Sequence, residues 1–325
     1  MIYKQIIFVL NGNQPSDKLR GYDIINALPD KYRKMVVIKY VNLKNSFVKD
    51  KNFEYQILST TNSIIIWILE HDETIMNKLK QQNNVIIYDV VDNYLYSKDK
   101  ILYLLNNNVI DKTIVNNNYM KYEIENFTSF KGTCNVIYHN YDPIFETIKI
   151  YSEDNLHFGY MGSISSLAHT NNFLYHSQLS KEYSIHLLDT DSGSYIENIK
   201  SYNQSRKLYN LKDLQLKFNC HISIRNIDSD VSKYKTSAKI ATAAAMDCNI
   251  LTSNEEVVKD LLGTDYPFIL YNNEISSIRN MFNLIIEDYY DEKILWNKGL
   301  EIMKKLKNKL SINENIKNYT DIFDK

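Results

Sequence analysis

Basic and hydroxyl side chains that could hold a phosphate group are concentrated in residues 220–246. Small and apolar residues of YKTSAKIATAAAM (234–246) recur at helical spacing, and Lys235, Ser237 and Lys239 crowd the start of that predicted helix. Free N–H groups and the positive end of the dipole favour an anion there. Arg225 ends the preceding apolar run CHISIR, a predicted strand. The pattern predicts a phosphate site; the alternative is that Ser237 only caps the helix and both lysines are solvated.

Composition and charge limit the function classes. The 325 residues, 44% hydrophobic and 24% charged, are sufficient for about two domains with their own cores. A net charge of −1 gives no basic field, so nucleic acid is not predicted as a partner. Cys134, Cys220 and Cys248 have neither disulfide nor zinc spacing. The apolar start of the chain is too short to span a membrane, so we expect a soluble, cytoplasmic protein.

The N-terminal half alternates predicted strands and helices. The strands are apolar nearly throughout and lie at 5–10, 34–41, 63–69 and 84–91; the helices lie at 16–28, with Ser16 or Asp17 as cap, and at 72–82. Such strands indicate a parallel sheet covered on both faces, an α/β Rossmann-like half.

Ligands of such sheets bind where the strands end, so residues just past each strand are candidate site residues. Gly12 follows the first strand, and His71, beside Glu70, follows the strand at 63–69. His71 is a candidate catalytic base. The alternative for His71 is a structural, hydrogen-bonding role.

The pattern restarts after a polar linker near 148–156. A short strand leads to Gly162 and Ser163, a turn where the absence of a side chain on glycine lets the backbone approach a ligand. Asp189 and Asp191 form a DxD pair, but a solvated turn is the favoured interpretation, and no metal site is predicted. We predict domains at 1–150 and 151–305 and a C-terminal helical segment at 306–325.

The order of these features resembles the donor half of GT-B glycosyltransferases of the family-4-like type (glycosyl transferases group 1). The shared features are a strand ending in a basic residue, a loop, a Lys/Ser-bearing helix start, a small-residue helix and a short strand. The resemblance implies two Rossmann-like domains facing each other across a cleft. The N-terminal domain would be on the acceptor side and the C-terminal domain would bind the donor, while the last helical segment would pack back on the first domain.

The resemblance also implies an activity and a set of contacts. A sugar would pass from a UDP- or GDP-linked donor to a hydroxyl acceptor on a glycan, lipid-linked or protein-linked sugar, without bound metal or cofactor and with retention. Arg225 and Lys239 would neutralise the leaving diphosphate. The E-x7-E motif of the family falls on Tyr234 and Thr242, neither of which is acidic. The ribose contact would then move to Glu255 or Glu256.

Two rival functions stay open at this point. One is a non-catalytic nucleotide- or sugar-binding protein, and the other is a different nucleotide-sugar-processing Rossmann-like enzyme. A dinucleotide enzyme should carry GxGxxG after its first strand, and NGNQPS does not match. The Lys-rich helix near Trp296 also leaves a peripheral membrane contact open, although interspersed acidic residues favour a solvated face.

Overall fold

The protein consists of two compact units. The computed structural model describes residues 5–12, 16–43, 46–91, 94–127, 134–150, 155–162, 178–189, 194–195, 215–225, 233–235 and 238–324. The first unit comprises Met1–Asn140, Tyr234–Thr236 and Leu310–Lys325, and the second comprises Tyr141–Lys233 and Ser237–Lys309.

The first unit alternates strands and helices up to residue 140. Its strands are β1 (Ile6–Leu10), β2 (Lys34–Ile38), β3 (Tyr40–Leu43), β4 (Ser46–Lys49), β5 (Ile64–Ile68), β6 (Val85–Asp89), β7 (Lys112–Val115) and β8 (Cys134–Val136). Its helices in this range are a π-helical segment (Asp17–Tyr22), α1 (Asp23–Ala27), α2 (Phe53–Leu58), α3 (Glu73–Gln81), α4 (Tyr94–Asn106) and α5 (Asn118–Phe127).

Six of these strands form one parallel sheet in the order β2-β1-β5-β6-β7-β8. Both faces of the sheet are buried. Ile7 and Val9 of β1 point into one apolar cluster, and Ile6 and Phe8 point into another. A branched, apolar run with no polar alternation is the sequence that a strand buried on both faces requires. The predicted Rossmann-like half is confirmed.

One local prediction in this unit is wrong, and another differs in detail. The strand expected at 34–41 ends at Ile38, and the chain then forms the antiparallel hairpin β3–β4. The helix expected at 16–28 is present, but it begins as a π-helical segment, and Ser16 takes its N-cap position without a side-chain hydrogen bond. The carboxylate of Asp17 instead accepts hydrogen bonds from the backbone N–H groups of Asn11 (3.0 Å) and Gly12 (2.8 Å).

The second unit repeats the alternation. Its strands are β9 (Lys149–Ile150), β10 (Phe158–Gly162), β11 (His186–Asp189), β12 (Ser194–Tyr195), β13 (Gln215–Leu216), β14 (Cys220–Ser223), β15 (Asn249–Ser253) and β16 (Ile269–Leu270). Its helices include a 3-10 turn (Pro143–Thr147), α6 (Ala238–Ala245), α7 (Glu256–Leu262), α8 (Ile275–Tyr290) and α9 (Ile294–Lys309).

The main sheet of this unit has the order β12-β11-β10-β14-β15-β16. Its strands pair in parallel except for β12 at one edge. Gly159 of β10 pairs with β11 on one side and β14 on the other, and Phe218 packs directly over it. A side chain at residue 159 would overlap that ring. The second Rossmann-like half is therefore confirmed as well.

The last helix, α10 (Ile312–Phe323), belongs to the first unit. The hydroxyl of Ser311 caps it by accepting a hydrogen bond from the N–H of Glu314. Tyr319 packs in the apolar cluster around Phe8 and donates to the buried carboxylate of Asp89 at 3.2 Å. Among the helices that the structure describes, none is long and apolar enough to cross a membrane.

Candidate functional site

In each of the two sheets the winding reverses once. In the first unit the strands on either side of β1 are β2 and β5, and in the second unit those on either side of β10 are β11 and β14. The loops after β1 and β5, and after β10 and β14, therefore leave their sheets in opposite directions and open a crevice at the carboxyl edge. Gly12, His71, Gly162 and Arg225 follow or end these four strands. The strand-end reasoning thus selected the switch point of each unit.

In the first unit the backbone after β1 is hydrogen-bonded to a carboxylate of the helical segment that follows it. The backbone at Gly12 is left-handed (φ +89°), and a side chain there would overlap the carbonyl of Tyr40. The Asn11 and Gly12 N–H groups both donate to Asp17. These N–H groups occupy the position that would bind phosphate in a dinucleotide-binding Rossmann domain, and a carboxylate already satisfies them.

His71 lies three residues beyond the end of β5, a strand at the switch point of the first unit. The left-handed backbone of Leu69 (φ +64°) turns the chain there. The half-buried His71 ring meets that of Tyr88 edge-on, with centroids 5.9 Å apart. Burial lowers its pKa, and the nearby ammonium groups of Lys100 and Lys39 lower it further. The imidazole is therefore neutral at pH 7 and able to accept a proton.

Lys39 follows the end of β2, beside Glu70, and the sequence analysis did not identify it as a candidate. Its buried ammonium group donates to the Glu70 carbonyl at 3.3 Å and lies 3.5 Å from the Glu70 carboxylate. Tyr40 donates to the same carboxylate at 3.0 Å. Burial lowers the pKa of Lys39. A lysine directly after an apolar strand was the available signal, because a buried ammonium needs a partner.

In the second unit the backbone of Arg225 is anchored at the carboxyl edge. Its N–H donates to Ser253 Oγ at 2.8 Å, and Ser253 Oγ in turn donates to the Arg225 carbonyl at 3.0 Å. The Asn273 amide donates to that carbonyl too. Ser253 ends β15, the strand next to β14, and Asn273 lies beyond β16, the strand after that, so side chains from both fix the chain at the end of β14.

The guanidinium group of Arg225 forms an ion pair with Glu255. Arg225 Nη1 lies 2.9 Å from Glu255 Oε2; the carboxylate side chain is 2% exposed and the arginine side chain 23% exposed. Glu256, the other predicted ribose contact, is half-exposed and instead pairs with Lys259 at 2.9 Å. Of the two glutamates, only Glu255 is thus shown beside Arg225.

Gly162 and Lys239 lie together at the end of β10. Lys239 Nζ lies 5.0 Å from the centroid of the Tyr160 ring, a cation–π contact. A Cβ at Gly162 would lie 2.8 Å from the Tyr160 hydroxyl and 3.0 Å from Lys239 Cε. A side chain at residue 162 would require the Tyr160 hydroxyl and the Lys239 side chain to shift, so the end of β10 and the start of α6 are packed against each other.

The remaining predicted residues are distributed differently. Thr242 is half-buried on α6, one turn after Lys239. Lys235 is exposed and belongs to the short segment grouped with the first unit. Ser163 and Ser237 lie outside the described residues, as does Asp191 of the DxD pair. Across the described ranges, no group of three or more His, Cys, Asp or Glu side chains could hold a metal ion.

Tyr234, at the first position of the E-x7-E motif, is a buried residue of the first unit. Its hydroxyl donates to Glu123 at 3.0 Å, and its carbonyl accepts from the Asn116 amide at 3.2 Å. These bonds use its polar groups to attach the segment Tyr234–Thr236 to the first unit.

Comparison with solved structures identifies the architecture. HepE from Anabaena in complex with UDP and glucose superposes with a TM-score of 0.65 at 12% identity, covering 99% of this chain and 100% of that one. Trehalose 6-phosphate synthase from Burkholderia multivorans gives 0.63 at 7% identity, with 99% and 97% covered. A glycosyltransferase from Rickettsia africae gives 0.62 at 12% identity, with 99% and 98% covered. No protein-family model matches the chain, and no curated protein matches it in sequence. The chain therefore has the GT-B fold of two Rossmann-like halves, as its resemblance to GT-B glycosyltransferases implied.

Proposed function

We propose that the protein is a glycosyltransferase that moves a sugar from a nucleotide-diphosphate donor to a hydroxyl acceptor. The observation that carries the proposal is the convergence of Gly162, Lys239, Arg225 and Glu255 at the carboxyl edge of the second sheet, in a GT-B fold. The structural neighbour HepE binds UDP, which favours a UDP-linked donor here, with GDP as the other choice.

The proposed chemistry requires charge stabilisation at the leaving group. The bond between the anomeric carbon and the phosphate oxygen breaks, and the acceptor oxygen forms the new bond to that carbon. Arg225 and Lys239 stabilise the negative charge that develops on the departing diphosphate, without bound metal. In the retaining course that we favour, the departing phosphate takes the proton of the acceptor. If the reaction instead inverts, neutral His71 is the candidate base.

The two units have different roles in this proposal. The second is the donor domain, with Gly162 and Ser163 at the diphosphate, Lys235 and Ser237 near the phosphates, and Thr242, Glu255 or Glu256 toward the ribose. The first unit takes the acceptor, with Gly12 and His71 at its switch point. The hydrogen bonds from the N–H groups of Asn11 and Gly12 to Asp17 support this division, because those N–H groups are then not available to bind a phosphate.

Ligand-induced stabilisation tests the donor site directly. The purified chain is screened by thermal shift against UDP, GDP, ADP, CMP and TDP, with and without magnesium. One diphosphate should raise the melting temperature without magnesium, and Arg225→Ala and Lys239→Ala should abolish the shift. Arg279→Ala, which breaks an exposed ion pair with Glu182, is the matched control and should keep it. Absence of a shift with every nucleotide would refute the proposal.

A nucleotide-binding protein without catalysis is the second candidate. It is favoured by Tyr234 and Thr242, which are not acidic although they stand at the two glutamate positions of the E-x7-E motif. Tyr234 is also hydrogen-bonded within the first unit. Slow hydrolysis of a donor separates the two candidates. A transferase should release nucleoside diphosphate from the nucleotide sugar that it binds, whereas a binding protein should leave the donor intact.

A further inference from the structure

Side-chain hydrogen bonds fix the backbone of Arg225. Its backbone N–H donates to Ser253 Oγ, and its carbonyl accepts hydrogen bonds from the side chains of Ser253 and Asn273. The side chain therefore begins from a fixed point, and its guanidinium group ends at Glu255, 2.9 Å away. The carboxylate of Glu255 is therefore one of the groups that orient the guanidinium.

Glu255 is itself immobilised. Its side chain is buried, and its backbone N–H donates to the Ser253 carbonyl at 2.9 Å, next to the Arg225 anchor. A buried carboxylate is costly without a cation or hydrogen bonds, so Glu255 and Arg225 stabilise each other. The Arg225 side chain is 23% exposed, so it remains accessible to solvent while it is paired with Glu255.

We infer that Glu255 is a positioning residue that aims Arg225 at the donor diphosphate and also competes with that diphosphate for its charge. The inference rests on the proposed function, because it takes the anion at Arg225 to be a nucleoside diphosphate, and it assigns the ribose contact to Thr242 or Glu256 rather than to Glu255. Glu255 then has two opposed effects on affinity. Its contact orients the guanidinium, which favours binding, and its negative charge offsets part of the attraction to phosphate, which disfavours binding.

Two substitutions separate these effects. Glu255→Gln keeps an amide oxygen that accepts from Arg225 but removes the negative charge, so UDP should bind more tightly, by about fivefold for one partly exposed pair. Glu255→Ala removes the charge and the contact together, so the guanidinium loses its orientation and UDP should bind more weakly, also by about fivefold. Opposite signs from two substitutions at one residue are not expected from a merely structural role.

The experiment is calorimetric titration of the full chain with UDP, repeated with GDP, at two salt concentrations. The affinity of Glu255→Gln for UDP should fall more steeply with salt than that of the unmodified chain, because the net charge of its site is more positive by one unit. Glu182→Gln is the matched control: it makes the same substitution in an Arg–Glu pair of equal length, 2.9 Å, on the surface of the second unit, and UDP affinity should not change.

Each outcome decides one of the two ideas. If Glu255→Gln binds UDP as weakly as Glu255→Ala does, Glu255 contacts the donor itself and the inference is wrong. Equal affinity of both variants and the unmodified chain would also overturn it. If the unmodified chain binds neither diphosphate, the proposed function fails and the inference with it. Should Glu255→Ala not fold, the sign of the change in Glu255→Gln and its salt dependence decide alone.

Discussion

Breaking the buried ion pair of Arg20 and Asp89 should strongly destabilise the first unit. Arg20 Nε and Nη2 donate to the two oxygens of Asp89 at 2.9 and 2.7 Å, and Nη1 donates to the Ile137 carbonyl at 2.6 Å. Both charged side chains are at most 1% exposed. Arg20→Met keeps the apolar stem but leaves a carboxylate with no cation and a carbonyl without this donor. Breaking a buried pair in this way costs about 3–5 kcal/mol.

The two tryptophans make this measurable unit by unit. Trp67 lies in the core of the first unit and Trp296 in the second, so urea unfolding of a Trp296→Phe background follows the first unit by fluorescence. Lys18→Met, in the same π-helical segment, breaks an exposed pair with Asp23 and should cost at most about 1 kcal/mol. Adding Asp89→Asn to Arg20→Met should recover part of the loss, because the buried negative charge disappears. If Arg20→Met costs no more than Lys18→Met, the reasoning is wrong.

Three further predictions follow from single contacts. Ser253→Ala removes both hydrogen bonds that this side chain makes to the Arg225 backbone and should weaken UDP binding about tenfold; calorimetry with unchanged affinity would contradict the anchor. Burial lowers the pKa of His221 to about 3, so the folded state binds fewer protons than the unfolded one and stability should fall by about 1.4 kcal/mol per pH unit below pH 6.5. His221→Phe should remove that part of the slope in urea unfolding at pH 7, 6 and 5, and an unchanged slope would exclude this source. Gly159→Ala should cost about 1–3 kcal/mol by overlap with Phe218, and Phe218→Leu should relieve the cost in the double variant, as differential scanning calorimetry would show.

The architecture was predictable because it depends on hydrophobic pattern. Runs such as IIFVL at β1 and IIIWI at β5 are apolar at every position, and only a sheet covered on both faces buries such runs. The residue after such a strand lies at the carboxyl edge whatever its chemistry. Gly12, His71 and Arg225 were therefore placed at strand ends from the sequence alone.

The partners of these residues were not predictable, since they depend on long-range register. Nothing near Arg225 in the sequence indicates that its guanidinium group forms an ion pair with Glu255, thirty residues later. The pairing follows from the alignment of β14 beside β15, which places residues 225 and 255 past neighbouring strand ends. The hairpin β3–β4 was missed for a related reason: Val41 continues the apolar run, while the main-sheet pairing with β1 stops at Ile38.

The main sheets of both units reverse their strand order once, so the two switch points differ in the residues that follow the strands. In the first unit the carboxylate of Asp17 accepts hydrogen bonds from the N–H groups that follow β1. An incoming phosphate would have to displace this carboxylate and would be repelled by its negative charge. In the second unit, Lys239 and Arg225 present cations at the corresponding edge, and the carboxylate of Glu255 pairs with Arg225. A phosphate therefore has an electrostatic reason to choose the second unit over the first. Asp17→Asn should leave UDP binding unchanged, and a loss of binding in that variant would show that this assignment of the units is wrong.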